Sequence, residues 1–297
     1  MPKVLRIINR FNLGGPTYNA AYLTKYMSDE FQTMLIGGEK DESEDSSQFI
    51  VRELGIEPVV ISEMRRSINP LHDVAAFRKI KSIINTFKPD IVHTHASKAG
   101  TLGRLAAMQS RVPVIIHTFH GHVFHSYFNS YKSKFFQNVE QNLARRSSKI
   151  IAISEKQKED LAEKYKIARP EKIEVIPLGF DLDRFQKDIP TKRLEFRKKY
   201  NIADDELAIG IIGRLVPVKN HELFLQAVKY VSEHTNRKIR AFIIGDGVCK
   251  QSLENRSREL NIDFTDSTIE NRKATLTFTS WIKKIDEAYA GLDVVTL

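Results

Sequence analysis

The sequence of 297 residues contains a single cysteine, Cys249. One thiol excludes a disulfide framework and a zinc cluster built on cysteines. Such sparse cysteine is typical of a reducing compartment, and we predict a cytoplasmic location. No uninterrupted apolar run reaches about 18 residues, the length that a membrane-spanning helix requires. The dinucleotide-binding pattern Gly-x-Gly-x-x-Gly is also absent.

The composition, 41% hydrophobic and 28% charged, is that of a globular protein, and the length predicts two domains of ordinary size. The net charge of +9 favours an anionic partner such as a phosphate, a nucleic acid or an acidic lipid surface. A nucleic acid is disfavoured, because neither a stacking platform nor a recognition-helix pattern accompanies the charge.

Short apolar runs alternate with longer segments of helical period, which predicts an α/β protein with two doubly wound, Rossmann-like parallel sheets. We place the first domain at residues 1–187 and the second at residues 188–297, with a linker over residues 179–191. The predicted strands are residues 4–9, 33–36, 58–61, 91–94, 114–118, 149–153, 172–176, 207–212, 240–244, 275–278 and 294 onward. The predicted helices are residues 20–27, 73–87, 98–109, 130–146, 155–165, 222–233, 250–260 and 283–290.

The second series of strands stops at Leu297, inside an apolar segment that should be a buried strand. A final parallel strand normally has a covering helix and neighbours on both sides. We therefore expect a truncated chain whose second domain is incomplete.

Ligands of doubly wound sheets bind at the carboxyl ends of the strands, so the turns that follow strands are the first places to look for chemistry. After the first strand come Gly14 and Gly15, with Pro16 near the start of a helix. Paired glycines allow close backbone approach, and a helix N-terminus attracts an anion. Phosphate binding and a plain tight turn both fit this segment.

Histidines crowd two further strand ends. His93 and His95 share one strand face, and the stretch HTFHGHVFH (residues 117–125) contains His120 and His122. Metal binding is one interpretation, but downstream of the second stretch the nearest carboxylate is Glu140. Packing in the core or lining a ligand site is the alternative.

Two cations follow the first strand of the second domain. Arg214 and Lys219 flank a proline-containing turn that opens a helix. A guanidinium and an ammonium beside a helix N-terminus suit a diphosphate, and two solvated surface charges are the alternative.

An apolar stripe, Phe135, Phe136, Val139 and Leu143, runs along the predicted helix over residues 130–146, with basic residues on either side. A helix packed on the core has this pattern, and so has a helix that lies on an anionic membrane surface.

Six motifs, taken in order, resemble those of the retaining glycosyltransferases of family four, enzymes of GT-B fold that use nucleotide-sugars to build polysaccharides, lipopolysaccharide and glycolipids. The motifs are Gly14-Gly15, DIVHTHASKAG (residues 90–100), HTFHGHVFH, IIAISEKQKEDL (residues 150–161), VIPLGFDLDRF (residues 175–185) and GRLVPVKN (residues 213–220).

The resemblance implies two Rossmann-like domains facing a cleft, a nucleotide-sugar donor and a saccharide or lipid-linked acceptor. It implies that His120 is the active-site histidine beside the transferring sugar and that Gly14-Gly15 lies near the donor phosphates and the acceptor. Arg214 and Lys219 would neutralise the donor diphosphate, so that neither a metal nor another cofactor is needed. His95 and His122 would line the sugar site.

Relatives carry a glutamate-containing donor segment beyond the strand at which this chain stops, so weak or absent turnover is expected of this chain. Two other functions fit the same fold. One is an inactive module that binds a sugar or a membrane surface, and the other is a nucleotide-sugar epimerase. The expected location is the cytoplasm, with peripheral attachment to the inner face of the membrane as an extension.

Overall fold

A computed structural model describes residues 1–12, 14–40, 46–65, 67–121, 130–270 and 272–297, with the backbone alone for residues 130–132. The chain divides into two compact units, Met1–Phe180 and Asp181–Leu297. The boundary that the sequence suggests, after residue 187, lies a few residues further along. Among the described helices, none combines the length and apolar character needed to cross a bilayer.

The first unit contains a seven-stranded parallel sheet. Its strands are β1 (Lys3–Arg10), β2 (Gln32–Gly38), β3 (Val59–Ile61), β4 (Ile91–His95), β5 (Val114–Thr118), β6 (Lys149–Ala152) and β7 (Ile173–Val175). Its helices are α1 (Gly15–Lys25), α2 (Gln48–Glu53), α3 (Pro70–Phe87), α4 (Ser97–Gln109), α5 (Ser130–Arg146) and α6 (Glu155–Glu159). The strand order is β3-β2-β1-β4-β5-β6-β7, which is that of a doubly wound sheet.

Helices cover both faces of this sheet, and β1 shows why. Successive side chains of a strand point to opposite faces. Leu5 and Ile7 join the core formed with α3 and α4, whereas Ile8 joins a second core with Ala20 and Ala21 of α1. A strand buried on both faces needs apolar residues that point both ways, and Val4, Leu5, Ile7 and Ile8 supply them in β1.

The second unit contains five parallel strands. They are β8 (Leu207–Ile212), β9 (Ile239–Ile244), β10 (Phe264–Asp266), β11 (Leu276–Ser280) and β12 (Val294–Thr296), in the order β10-β11-β9-β8-β12. The helices are α7 (Asp183–Gln186), α8 (Ile189–Lys199), α9 (His221–His234), α10 (Lys250–Glu259) and α11 (Ile285–Gly291). The prediction of two Rossmann-like α/β sheets is therefore confirmed.

The boundary between the two units falls within the predicted linker over residues 179–191, but α7 and the start of α8 give part of that segment a helical structure. Ion pairs with distant residues hold these helices in place. The Arg184 and Lys192 side chains lie 3.1 and 3.0 Å from the two carboxylate oxygens of Asp286 in α11. Phe196 packs so closely on Gly291 that a methyl group there would come within 2.2 Å of its ring.

Two helices of the first unit also differ from the prediction. α1 begins at Gly15 rather than at residue 20, and α2 was not predicted. The early start of α1 places the paired glycines at the N-terminus of this helix.

Candidate functional site

The turn between β1 and α1 places both predicted glycines at a helix N-terminus. Gly14 is the residue that caps α1, Gly15 is its first residue, and no acidic side chain lies in the first turn. The Thr17 hydroxyl donates to the Asn12 carbonyl, 2.9 Å away, and so fixes the turn. A methyl group added to Gly15 would meet no described heavy atom within 4 Å, so packing does not explain this glycine.

The ends of β4 and β5 bring three of the histidines together on one face of the sheet. His93 and His95 lie two residues apart on β4, with ring centroids 4.2 Å apart. His120 follows β5, and its Nε2 lies 3.0 Å from Nδ1 of His95. Because β4 and β5 are adjacent and parallel, with His95 opposite Thr118, the loop after β5 brings His120 beside β4.

His117 belongs to the opposite face. Its Nδ1 lies 2.8 Å from the Thr94 hydroxyl, and its ring packs edge-on against Phe119. Beside it, the guanidinium of Arg104 pairs with Glu140 at 2.5 Å, and both side chains are buried. Gly100 lets α4 approach this closely, since a methyl group there would lie 2.5 Å from the His117 ring.

Burial keeps all four imidazoles neutral near pH 7. Desolvation, followed by the charge of Arg6, lowers the pKa of His93 to about 3. Desolvation alone lowers the pKa of His120 to about 4. The pKa values of His95 and His117 fall well below the ordinary value, chiefly because both side chains are fully buried.

The imidazoles are engaged with one another and with hydroxyl groups. His93 Nε2 lies 2.8 Å from the Thr118 hydroxyl, and His95 and His120 share a hydrogen bond. Among the described residues no group of three or more His, Cys, Asp or Glu is arranged to hold a metal ion. His122 lies outside the described residues.

The apolar stripe of residues predicted on α5 is buried near the C-terminal end of the helix and exposed near its start. Leu143 is buried at 4% exposure near its C-terminal end, whereas Phe135 near its start is 63% exposed. The later turns of the helix therefore pack on the core.

In the second unit, the predicted cations follow β8. Arg214 comes two residues after the strand ends, and Lys219 closes the turn Pro217–Lys219 that leads into α9. Both are exposed, and beyond backbone hydrogen bonds with Val216 neither residue's side chain forms a hydrogen bond or ion pair within the described part of the chain. The Lys219 side chain passes 3.8 Å from the position that a methyl group on Gly213 would occupy, so it lies near the strand end.

Sequence reasoning missed the residues that hold this turn. The turn after β9, Gly245-Asp246-Gly247, lies directly against it, and Leu215 donates its backbone N–H to the Asp246 carbonyl at 2.9 Å. Gly245 has φ +143°, and a methyl group there would come within 2.0 Å of the Gly213 carbonyl oxygen. The sequence feature that could have revealed this turn is the pair of glycines, Gly245 and Gly247, directly after the buried strand β9.

Comparison with known proteins identifies the family and the fold of the chain. The family model for Glycosyltransferase Family 4 matches residues 13–184, and that for Glycosyl transferases group 1 matches residues 192–295. The chain belongs to glycosyltransferase family 4, and its fold is GT-B.

Two curated relatives are named as glycosyltransferases. The chain is 30% identical over 233 residues to the UDP-Gal:alpha-D-GlcNAc-diphosphoundecaprenol alpha-1,3-galactosyltransferase of Escherichia coli, covering 78% of this chain and 57% of the relative. It is 28% identical over 204 residues to the capsular polysaccharide biosynthesis glycosyltransferase CapM of Staphylococcus aureus, covering 65% and 52%. The chain thus spans about half the length of these relatives.

Solved structures share the fold. Anabaena HepE in complex with UDP and glucose superposes with a TM-score of 0.76 at 19% identity, over 99% of this chain and 73% of that one. Sucrose-phosphate synthase from Thermosynechococcus elongatus gives a TM-score of 0.73 at 15% identity, over 99% and 75%. A UDP-GlcNAc 2-epimerase from Neisseria meningitidis gives 0.60 at 12% identity, over 99% and 76%.

Proposed function

We propose that the protein transfers a hexosyl group from a nucleoside diphosphate sugar to a hydroxyl group of a cell-envelope saccharide or lipid-linked acceptor, without a metal ion. The observation that carries this proposal is the pair Arg214 and Lys219, two exposed cations whose side chains have no protein partner among the described residues and which follow the end of β8. Two cations beside a helix N-terminus stabilise a departing diphosphate as a divalent ion would.

His120 takes the sugar. A neutral imidazole offers one N–H donor and one acceptor, which suits hydroxyl groups better than it suits a phosphate. The open space at Gly15 and the first turn of α1 accept the donor phosphates or an acceptor oxygen.

The reaction proceeds with retention at the anomeric carbon. The bond between that carbon and the diphosphate oxygen breaks with both electrons leaving on the diphosphate, while the acceptor oxygen bonds to the carbon from the same face. The acceptor proton passes to the departing diphosphate, so the chain need not supply a carboxylate base. The cations lower the barrier because negative charge develops on the diphosphate in the transition state.

The relatives favour a uridine nucleotide and a diphosphate-linked acceptor, since the Escherichia coli enzyme is named for UDP-Gal and diphosphoundecaprenol, and HepE was crystallised with UDP and glucose. An acceptor of that kind would bring the protein to the inner face of the membrane. The net charge of +9 is consistent with an anionic surface there.

The test is to incubate the protein with UDP-galactose or UDP-glucose and a diphosphate-linked N-acetylglucosamine acceptor, with EDTA present. Acceptor-dependent release of UDP and an α-linked product support the proposal. Conversion of UDP-GlcNAc to its 2-epimer without acceptor would favour an epimerase instead. Binding of sugar without turnover would favour an inactive binding module.

A further inference from the structure

The hydrogen bond between His95 and His120 has an unusually well-defined geometry. The two nitrogens are 3.0 Å apart, the ring centroids are 5.2 Å apart, and the ring planes differ by only 28°. Two rings that are nearly coplanar and joined by a short N···N contact meet edge to edge. The hydrogen bond therefore lies near both ring planes, along the direction of the lone pair.

The surroundings hold His95 in this position. It is fully buried, at 0% exposure, and the ring of His93 packs on it at 4.2 Å. His93 is in turn fixed by its hydrogen bond to Thr118. The next residue, Ala96, adopts φ +63°, a conformation that residues with side chains rarely take and that recurs at functional sites.

The bonding of His95 determines which nitrogens carry hydrogen. Its second nitrogen, Nε2, is buried and has no hydrogen-bond partner in the described chain. A buried N–H without an acceptor is less well tolerated than a buried lone pair without a donor. The hydrogen of neutral His95 thus lies on Nδ1 and is donated to Nε2 of His120, which leaves the hydrogen of His120 on its own Nδ1.

We propose that His95 is a positioning residue that fixes the tautomer and orientation of His120, so that His120 presents Nδ1–H as a donor to a hydroxyl oxygen of the sugar. The inference rests on the proposed function. It gives His95 a role different from the substrate contact that the family resemblance implies, because a side chain with no exposed surface acts through its neighbour.

Two substitutions separate the ring nitrogens of His95. The amide of His95→Asn takes the place of Nδ1, whereas that of His95→Gln takes the place of Nε2. The expected result is that His95→Asn keeps kcat within about threefold of the native value, while His95→Gln loses about ten- to a hundredfold, as loss of a partner that orients a functional histidine does elsewhere. The KM for the donor should change less than kcat in both.

Coupling to His120 is the decisive control. In a His120→Ala background, His95→Gln should cause no further loss, because its effect passes through the imidazole that has been removed. Equal loss in His95→Asn and His95→Gln, or a loss that persists without His120, would overturn the proposal.

A spectroscopic measurement tests the inference without turnover. Long-range ¹H–¹⁵N correlation spectra of the native protein should show a neutral His120 protonated on Nδ1 and not on Nε2. A spectrum with the hydrogen on Nε2 would overturn the inference even if sugar transfer is observed. If no transfer is detected, the proposed function fails while this spectrum still decides the role of His95.

Discussion

The two units present opposite chemistry at the carboxyl edges of similar parallel sheets. In the first unit, His93, His95 and His120 are neutral and hydrogen-bonded to one another or to a hydroxyl. In the second, Arg214 and Lys219 are charged, exposed and without a partner among the described residues. At the first edge, hydrogen bonds between side chains hold the imidazoles in place. At the second edge, backbone packing holds the turn that carries Arg214, because Gly245 and Gly247 let the neighbouring turn lie directly against it.

This difference indicates a division of labour. A cluster of neutral imidazoles can distinguish hydroxyl groups by direction but offers little to a charged phosphate. Exposed cations beside a helix N-terminus suit an anion such as the diphosphate of the proposed donor. The comparison predicts that substitutions of the buried side chains in the first unit mainly affect stability and geometry, and that substitutions of the exposed cations in the second mainly affect binding and turnover.

The largest expected effect is on the stability of the first unit. Glu140→Ala leaves the guanidinium of Arg104, with 0% exposed side chain, buried without its carboxylate. Breaking a buried ion pair by removing one partner costs about 3–5 kcal/mol of the free energy of unfolding. Urea denaturation followed by circular dichroism would measure the loss.

Two controls sharpen this result. Asp205→Ala in the second unit removes an exposed pair with Lys238, and it should leave the denaturation midpoint nearly unchanged. Replacing both partners, as in Arg104→Met with Glu140→Leu, should recover most of the lost stability. An unaltered midpoint in Glu140→Ala would mean that the buried pair contributes nothing.

Next in size is the effect of the free cations on turnover. Arg214→Ala and Lys219→Ala should each lower kcat/KM for sugar transfer by about a hundredfold, because each removes a charge that the departing diphosphate requires. Neither should alter the unfolding midpoint, since neither side chain has a protein partner among the described residues. Arg237→Ala, a change to an exposed cation after α9, is the matched control. Normal turnover in both variants would refute the assignment of the diphosphate site.

The buried imidazoles predict a dependence of stability on pH. Their pKa values lie below the unfolded value of about 6.5, at about 3 for His93 and about 4 for His120. Between pH 6.5 and the lowered pKa values, the unfolded chain binds more protons than the folded chain. The contribution of the neutral imidazoles to the free energy of unfolding is therefore complete above pH 6.5 and declines as the pH falls toward 4. Each such histidine contributes a slope of about 1.4 kcal/mol per pH unit.

Denaturation at a series of pH values would measure this slope. His93→Gln should make it shallower by the share of one histidine, whereas His234→Gln, at an exposed position, should leave it unchanged. A stability that is constant between pH 6.5 and 4.5 would show that the imidazoles are solvated.

Much of the fold could be predicted because burial of one face of a helix or strand makes apolar residues recur at regular intervals in its sequence. The bounds of α5 were predicted as found, and the α/β alternation was correct, since strands buried on both faces must be apolar. The segment around α7 and α8 was missed because it is held by residues about a hundred positions away, through ion pairs with Asp286 and the packing of Phe196 on Gly291. Local composition carries no trace of such a pairing.

The candidate site follows the same rule. Arg214 and Lys219 were recognisable because a cation after a strand is a local pattern. The contact between His95 and His120 depends on the register of β4 and β5, and the choice of nitrogen depends on which atoms the core leaves unpaired. Both are properties of packing, which the sequence of either strand alone does not determine.

The smallest expected effect on stability is that of two glycine substitutions, which distinguish a glycine needed for folding from one needed to bind a ligand. Gly15→Ala adds a methyl group where no described heavy atom lies within 4 Å, at the first residue of a helix, so the free energy of unfolding should change by less than about 1 kcal/mol. Gly213→Ala in the second unit is equally unobstructed, with only the Lys219 side chain 3.8 Å away. If both turns receive parts of the substrate, calorimetric titration should show weaker donor or acceptor binding in each variant despite the native melting temperature. A variant that melts well below the native protein would instead assign its glycine to folding and remove that turn from the substrate site.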